Sequence, residues 1–188
     1  VCNISSPNTP GLRALQAKVE METLIARALA ARDEAIPDPA ARPPLLVKVA
    51  PDLDDAGLAD VAEVALETGV DGLIMGNTTL SCPATLKSGH KRETGGLPGK
   101  PLFALSTERL AALHRLTKGR IPLVGVGGIA SGADAYAKIR AGASLVQLYS
   151  SLVFGGPGLV AQVKADLARR LKADGFRSVA DAVGIDAR

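Results

Sequence analysis

The chain has 188 residues, 22 Lys and Arg against 19 Asp and Glu, and a hydrophobic fraction of 47%. This balance indicates one ordinary globular domain and excludes a disordered or fibrous protein. Aromatic residues make up 3% and Trp is absent, so the stacking surfaces that bind single-stranded nucleic acid are missing and we expect no nucleic-acid partner. Cys2 and Cys82 lack the spacing of a zinc site or a disulfide framework, and we expect no metal.

Helices and strands alternate along the sequence. Apolar residues from Leu12 to Leu29, including Val19, recur at helical spacing and predict a long first helix that stops at Pro37. The run 45–49 predicts a strand, and Asp52 to Asp55 suit the start of a helix that continues through Leu66. The alternation continues with strands at 72–75, 121–126 and 144–148 and with helices near 105–118, 132–141 and 157–173.

Near-continuous apolar strands between amphipathic helices predict parallel strands that are buried on both faces. Polar or glycine-rich residues follow each strand and favour an α/β fold of the parallel (β/α)8 TIM-barrel type. With the strand that begins at Val1 we expect five strands, so residues 1–188 would form roughly the C-terminal half of one barrel domain. The missing strands would precede Val1, which is not a Met. An open, doubly wound five-stranded sheet is the alternative and needs no further strands.

Three polar features at predicted strand ends are candidate ligand contacts. The loop Asn3–Asn8 carries amides and hydroxyls after the first strand, although such residues are also common in simple turns. Lys48 interrupts an apolar strand, so it either meets an anion at the barrel mouth or faces water on an edge strand. Asn77 and Thr78 follow the next strand and form either a ligand rim or a capped turn.

Glycine-rich segments supply the remaining candidates. The connection 80–101 is long enough to be a binding loop or lid, with disorder as the alternative. The turn 124–132 and the segment 147–158 place glycines at helix starts, where backbone N–H groups bind phosphate. No acidic residue is placed to hold a ribose, so we expect no NAD there. His90 and His114 have no spacing partner, and we interpret them as a loop residue and a helix-surface residue.

The motifs NISSPN, LLVKVAPD, DGLIMGNTT, ETGGLPGKPL, IPLVGVGGI and AGASLVQLYSS resemble, in this order, the C-terminal part of the dihydroorotate dehydrogenase family. The resemblance implies oxidation of dihydroorotate to orotate in pyrimidine synthesis, with FMN as the cofactor that takes the hydride. Ser6 resembles the family's catalytic base. The residues that resemble the substrate-binding set are Asn3, Asn8, Asn77 and Thr78. Those that resemble FMN contacts are Lys48, Gly99, Gly128, Tyr149 and Ser150.

The serine at position 6 also resembles the quinone-linked class, because relatives that use fumarate or NAD carry cysteine there. In that class the membrane-docking helices precede the barrel, so we expect peripheral contact through segments outside this sequence. The location would be the cytoplasmic face of a bacterial inner membrane, or the mitochondrial inner membrane in a eukaryote. The alternatives are another FMN- or phosphate-binding barrel enzyme and a non-catalytic half-barrel. We expect the 188 residues alone to be inactive.

Overall fold

The computed structural model describes residues 1–84, 86–91 and 93–187. One sheet of five parallel strands carries the fold, in the order β1-β2-β3-β4-β5. The strands are β1 Cys2–Asn3, β2 Leu46–Val49, β3 Gly72–Met75, β4 Leu123–Val126 and β5 Leu145–Gln147. Each strand pairs with the next one along the chain, so the strand order never reverses as it does in a doubly wound sheet. The parallel α/β sheet is confirmed, and its order is that of a partial TIM barrel.

Helices alternate with the strands, and three more helices follow β5. The helices are α1 Lys18–Ala35, α2 Asp55–Thr68, α3 Phe103–Thr117, α4 Gly132–Arg140, α5 Ser150–Gly155, α6 Gly158–Ala173 and α7 Val179–Ala182. The sequence analysis missed α5 and α7, which are too short to show helical periodicity. A capping box between Ser178 and Asp181 starts α7.

The prediction of one continuous helix from Leu12 is wrong. A 3-10 turn spans Leu12–Gln16, and extended backbone at Ala17 separates it from α1. This break resets the helical phase, so Met21 and Ile25 are buried while Val19 is 69% exposed. Counting the spacing across the break had placed Val19 on the apolar face.

The core lies between the sheet and the helices. Val47, Leu73 and Leu123 of the strands are fully buried, as are Leu110 and Leu113 of α3. Burying one such side chain stabilises the fold by about 1.5–3 kcal/mol. This packing fixes the positions of the strand ends and therefore of the residues that follow them.

The basic helix α6 packs its apolar side against the fold. Leu159, Val163 and Leu171 are buried there, as expected for an outer helix of a barrel. None of the helices in the described ranges combines the length and apolarity needed to cross a membrane.

Candidate active site

A cavity of about 290 Å³ opens at the carboxyl ends of the strands. It is lined by Lys48 of β2 and by residues at or after the ends of β3, β4 and β5, together with the end of the long connection before α3. The sequence-predicted residues among its lining are Lys48, Asn77, Thr78, Gly99, Gly128, Tyr149 and Ser150. Residues from separate connections meet here because the carboxyl ends of parallel strands share one edge of the sheet.

Lys48 brings a positive charge to this cavity. Its strand β2 lies between β1 and β3, so the alternative of an edge strand facing water is wrong. The side chain is half-buried, and this burial lowers the pKa of the Lys48 ammonium. In the described part of the chain, no carboxylate forms an ion pair with Lys48. A half-buried cation without a carboxylate partner suits an anionic ligand.

The turn after β4 requires glycine. Gly127 and Gly128 have φ values of 109° and 76°, which favour glycine. A Cβ atom on Gly128 would lie 2.5 Å from the Cβ of Phe103, at the start of α3. The backbone of this turn therefore meets α3 with no room for a side chain, and its other side lines the cavity.

Gly99 and Ser150 come together although 51 positions separate their numbers in the sequence. A Cβ on Gly99 would be 3.8 Å from the Cβ of Ser150. Among the described residues, the cavity lining contains two lysines and no acidic residue: Lys48, and Lys100, whose ammonium also donates to Asp134 Oδ1 at 3.1 Å. This set of donors, with the glycine turn, fits an anionic cofactor that carries a phosphate.

Asn3 and Asn77 meet around Ser5, a residue that the sequence analysis left aside. Ser5 is fully buried; its hydroxyl donates to Asn3 Oδ1 at 3.0 Å and accepts from Asn77 Nδ2 at 3.0 Å. Asn77 Nδ2 also donates to Asn3 Oδ1 at 3.3 Å. The loops after β1 and β3 are thus joined by side-chain hydrogen bonds beside the cavity.

Ser6 and Asn8 lie beside the cavity rather than among its lining residues. Ser6 is half-exposed, and its hydroxyl accepts from the backbone N–H of Asn8 at 3.3 Å. A Cβ on Gly95 would be 3.5 Å from Asn8 Oδ1. Ser6 is therefore the more accessible of the two adjacent serines.

The long connection 80–101 returns to the site at its C-terminal end. Leu97 pairs with Thr79 in an isolated antiparallel bridge, with Leu97 N donating to Thr79 O at 2.7 Å. A Cβ on Gly96 would lie 2.8 Å from Pro7, so this segment packs directly on the Ser6 loop. Thr85 and Arg92 of the predicted binding loop lie outside the described residues.

The two histidines occupy different surroundings. His90 is exposed and contacts Glu93 Oε1 through Nδ1 at 2.7 Å, which confirms a loop residue. His114 is half-buried against Gly142 and Gly184, and burial is the main cause that lowers its pKa. The prediction of a helix-surface residue holds only in part, because Gly142 after α4 and Gly184 near the C-terminus pack against His114. Within the described ranges, no three His, Cys, Asp or Glu side chains group as metal ligands.

One ion pair near the site was not predicted from the sequence, in which Arg13 was left aside and Asp52 was assigned only to the start of a helix. Arg13 and Asp52 form an ion pair at 2.8 Å between the 3-10 turn and the end of β2. Their separation of 39 positions left no local pattern to read. The one available signal was an arginine shortly after the polar loop Asn3–Asn8.

Comparisons with known proteins agree with this geometry. The dihydroorotate dehydrogenase family model matches residues 1–171. The chain is 76% identical over 188 residues to the dihydroorotate dehydrogenase (quinone) of Xanthobacter autotrophicus, and covers 53% of that protein. It is 53% identical over 188 residues to the mitochondrial dihydroorotate dehydrogenase (quinone) of Mus musculus, and covers 47% of it.

Solved structures show the same likeness. The crystal structure of DHODH from Eimeria tenella in complex with ferulenol matches with a TM-score of 0.93 at 43% identity, over 99% of this chain and 53% of that one. The chain spans about half the length of the curated relatives it matches. With the family model matching most of the sequence and the fold matching throughout, the chain belongs to the dihydroorotate dehydrogenase family.

Proposed function

We propose that the complete protein containing this chain oxidises dihydroorotate to orotate in de novo pyrimidine (UMP) biosynthesis, with FMN as cofactor and quinone as final acceptor. The observation that carries this proposal is the shared cavity of Lys48, Asn77 and the Gly128 turn. A cation, a carboxamide and a glycine turn at one strand edge match the needs of an anionic flavin beside a pyrimidine. Family membership supports the same chemistry.

The cofactor side of the site would be formed by the cavity lining. The residues that would hold FMN are Lys48, Gly99, Gly128, Tyr149 and Ser150. When bound there, FMN would supply a two-electron acceptor for the hydride from C6 of dihydroorotate, and quinone would be the final acceptor of those electrons. Lys48 would supply a fixed positive charge where negative charge develops, which is effective because the charge is already in place.

The substrate side would be formed by the polar loops after β1 and β3. Asn3, Asn8, Asn77 and Thr78 would bind the ring, since carboxamides match its alternating donors and acceptors. Ser6 would remove the proton from C5. A serine hydroxyl is a weak base near neutral pH, so the proton must leave through a hydroxyl or water relay. The accessibility of Ser6 and the complete burial of Ser5 support Ser6 in this role.

The names of the relatives support the proposed acceptor and location. Those named above are called quinone enzymes, and the mouse protein is called mitochondrial. For the complete protein we propose peripheral contact with a membrane that holds the quinone, through segments outside this chain. For a bacterial protein this would be the cytoplasmic face of the inner membrane.

The test is Ser6→Ala in the full-length protein, with anaerobic rapid mixing of dihydroorotate. We expect flavin reduction to slow by about 10²–10⁴-fold, the usual contribution of a positioned general base, while FMN stays bound. Ser81→Ala is the matched control, because Ser81 is exposed on the long connection and does not line the cavity. Equal reduction rates in the two variants would remove Ser6 from the mechanism.

A further inference from the structure

We infer that Arg13 and Asp52 are positioning residues that hold the loops after β1, β2 and β3 in register, a unit we call the Arg13–Asp52 hub. The inference rests on the proposed function, because it concerns the loops that carry Ser6, Asn77 and Thr78. The side chains of Arg13 and Asp52 are 21% and 19% exposed, so the pair is largely shielded from solvent.

Arg13 contacts all three loops with one guanidinium. Its Nε donates to the carbonyl of Ser5 at 3.0 Å, after β1. One terminal nitrogen donates to Asp52 Oδ2 at 2.8 Å, after β2, and the other donates to the carbonyl of Thr78 at 3.1 Å, after β3. The partners are 8, 39 and 65 positions away in the sequence. Only arginine has a side chain with enough donors in a fixed plane for this arrangement.

Asp52 extends the hub to the segment after Thr78. Its Oδ1 accepts a hydrogen bond from the hydroxyl of Thr79, and its Oδ2 accepts from the backbone N–H of Leu80 at 3.1 Å. Thr79 is almost fully buried and is also the residue that pairs with Leu97. The hub therefore also fixes the point at which the long connection leaves β3.

The 3-10 turn fixes the position of Arg13 relative to the end of β2. Gln16, at the end of that turn, is 6% exposed and accepts from the backbone N–H of Ala50 at 2.7 Å. Its amide nitrogen donates to the carbonyl of Arg13 at 3.4 Å. Because the helix is broken before α1, the 3-10 turn can pack against the residue that follows β2.

The hydrogen bonds lie next to the proposed reacting groups. The Ser5 carbonyl belongs to the peptide that leads directly into Ser6, and the Thr78 carbonyl follows Asn77. Loss of the guanidinium would leave both carbonyls without this donor and free the loops to shift. A displacement of about 1 Å in a substrate-positioning residue can slow a reaction by about 10²-fold.

The chain offers a matched control at the opposite end of the strands. Arg32 is 18% exposed and bonds to Asp33 at 2.9 Å, Asp71 at 2.7 Å and the carbonyl of Pro43 at 3.4 Å. Arg32 thus also joins three partners, but it lies at the amino ends of β2 and β3, where no proposed site residue is found. If Arg13 had only a structural role, its substitution should have the same effects as substitution of Arg32.

The experiment compares Arg13→Gln and Arg32→Gln in the full-length protein. We expect Arg13→Gln to slow anaerobic flavin reduction at saturating dihydroorotate by about 10–100-fold and to weaken orotate binding, read from the perturbed flavin spectrum. Arg32→Gln should lower the melting temperature without changing either quantity. Arg13→Lys should recover little, because an ammonium cannot bridge the carboxylate and two carbonyls in one plane.

The outcomes separate the hub from the proposed function. A wild-type protein that does not reduce its flavin with dihydroorotate contradicts the proposed function itself. An active wild type with equal kinetics in Arg13→Gln and Arg32→Gln overturns the hub. If Arg13→Gln does not fold, Asp52→Asn is measured in the same way and should show the same slowing. Failure of both to fold beside a folded Arg32→Gln would make the pair a folding element and also overturn the inference.

Discussion

Arginine–aspartate pairs lie at both ends of the parallel strands, but the two ends have different roles. At the amino end, Asp71 accepts from Arg32 and from the backbone N–H of Leu45, both at 2.7 Å, and these charges pair with one another. At the carboxyl end, Arg13 and Asp52 also pair, but the cation Lys48 faces a cavity without an acidic partner. The charges described at the amino end are paired with each other, whereas Lys48 at the carboxyl end is left for a ligand. This difference separates a structural edge of the sheet from a binding edge.

The glycines make the same distinction. Gly69, before β3, has φ 69° and open space where a Cβ would lie, so it serves only to end α2. Gly128 has φ 76° and no space, because Phe103 occupies the position. The first glycine is required by backbone conformation alone, and the second is required by conformation and by close packing beside the cavity.

The largest predicted effect uses this pair of glycines. Gly128→Ala should destabilise the full-length protein by about 2–5 kcal/mol, the sum of backbone strain and overpacking, and should release FMN. Gly69→Ala carries only the strain, about 1–2 kcal/mol, and should keep its flavin. Urea unfolding and bound-flavin absorbance measure both quantities. Equal destabilisation with flavin retained in both variants would remove the distinction between the two ends.

A second prediction concerns Lys138, which is fully buried on α4 behind the carboxyl-end turn. Its ammonium donates to Ser106 Oγ at 2.6 Å, and Ser106 Oγ lies 3.2 Å from the carbonyl of Gly127. Burial lowers the pKa of Lys138 from 10.5 to about 7. Between those two values the unfolded chain binds a proton that the folded chain does not, so folding stability should rise with pH.

The slope from this one group is at most about 1.4 kcal/mol per pH unit. Lys138→Met should remove it, and the exposed Lys172→Met of α6 is the control that should retain it. Urea unfolding of the full-length protein at several pH values between 7 and 10 supplies the measurement. A wild type whose stability is as flat with pH as that of Lys138→Met would show that the buried amine keeps its proton.

The smallest predicted effect lies at the amino end. Asp71→Asn keeps the shape of the side chain but weakens the bonds to Arg32 and Leu45, and should cost about 1 kcal/mol of stability. Flavin reduction by dihydroorotate should keep its wild-type rate. A slower reaction would show that the amino end contributes to the site.

Much of the fold could be predicted because buried parallel strands are continuous apolar runs. The predicted strand at 45–49 is observed as Leu46–Val49, and the one at 72–75 as Gly72–Met75. The first helix was predicted wrongly because the turn before Ala17 is held by a hydrogen bond between Gln16 and Ala50, just after β2, and such a tertiary contact leaves no mark in helical spacing.

Local pattern alone indicated part of the site, and the family resemblance supplied the expected roles of its residues. Lys48 was found because a charge interrupts an apolar strand, and Gly128 because glycines cluster after one. Ser5 and Arg13 have ordinary local surroundings, and their roles arise from partners up to 72 positions away. Such contacts form only after the strands have aligned, so spacing along the chain carries no trace of them.

The most direct test of the binding edge is an anaerobic titration of the purified full-length protein with dihydroorotate, followed by its visible absorption spectrum. The account predicts a flavin band that bleaches completely, with one orotate formed for each flavin reduced. A protein that lacks a flavin band, or whose band is unchanged by dihydroorotate, would contradict it.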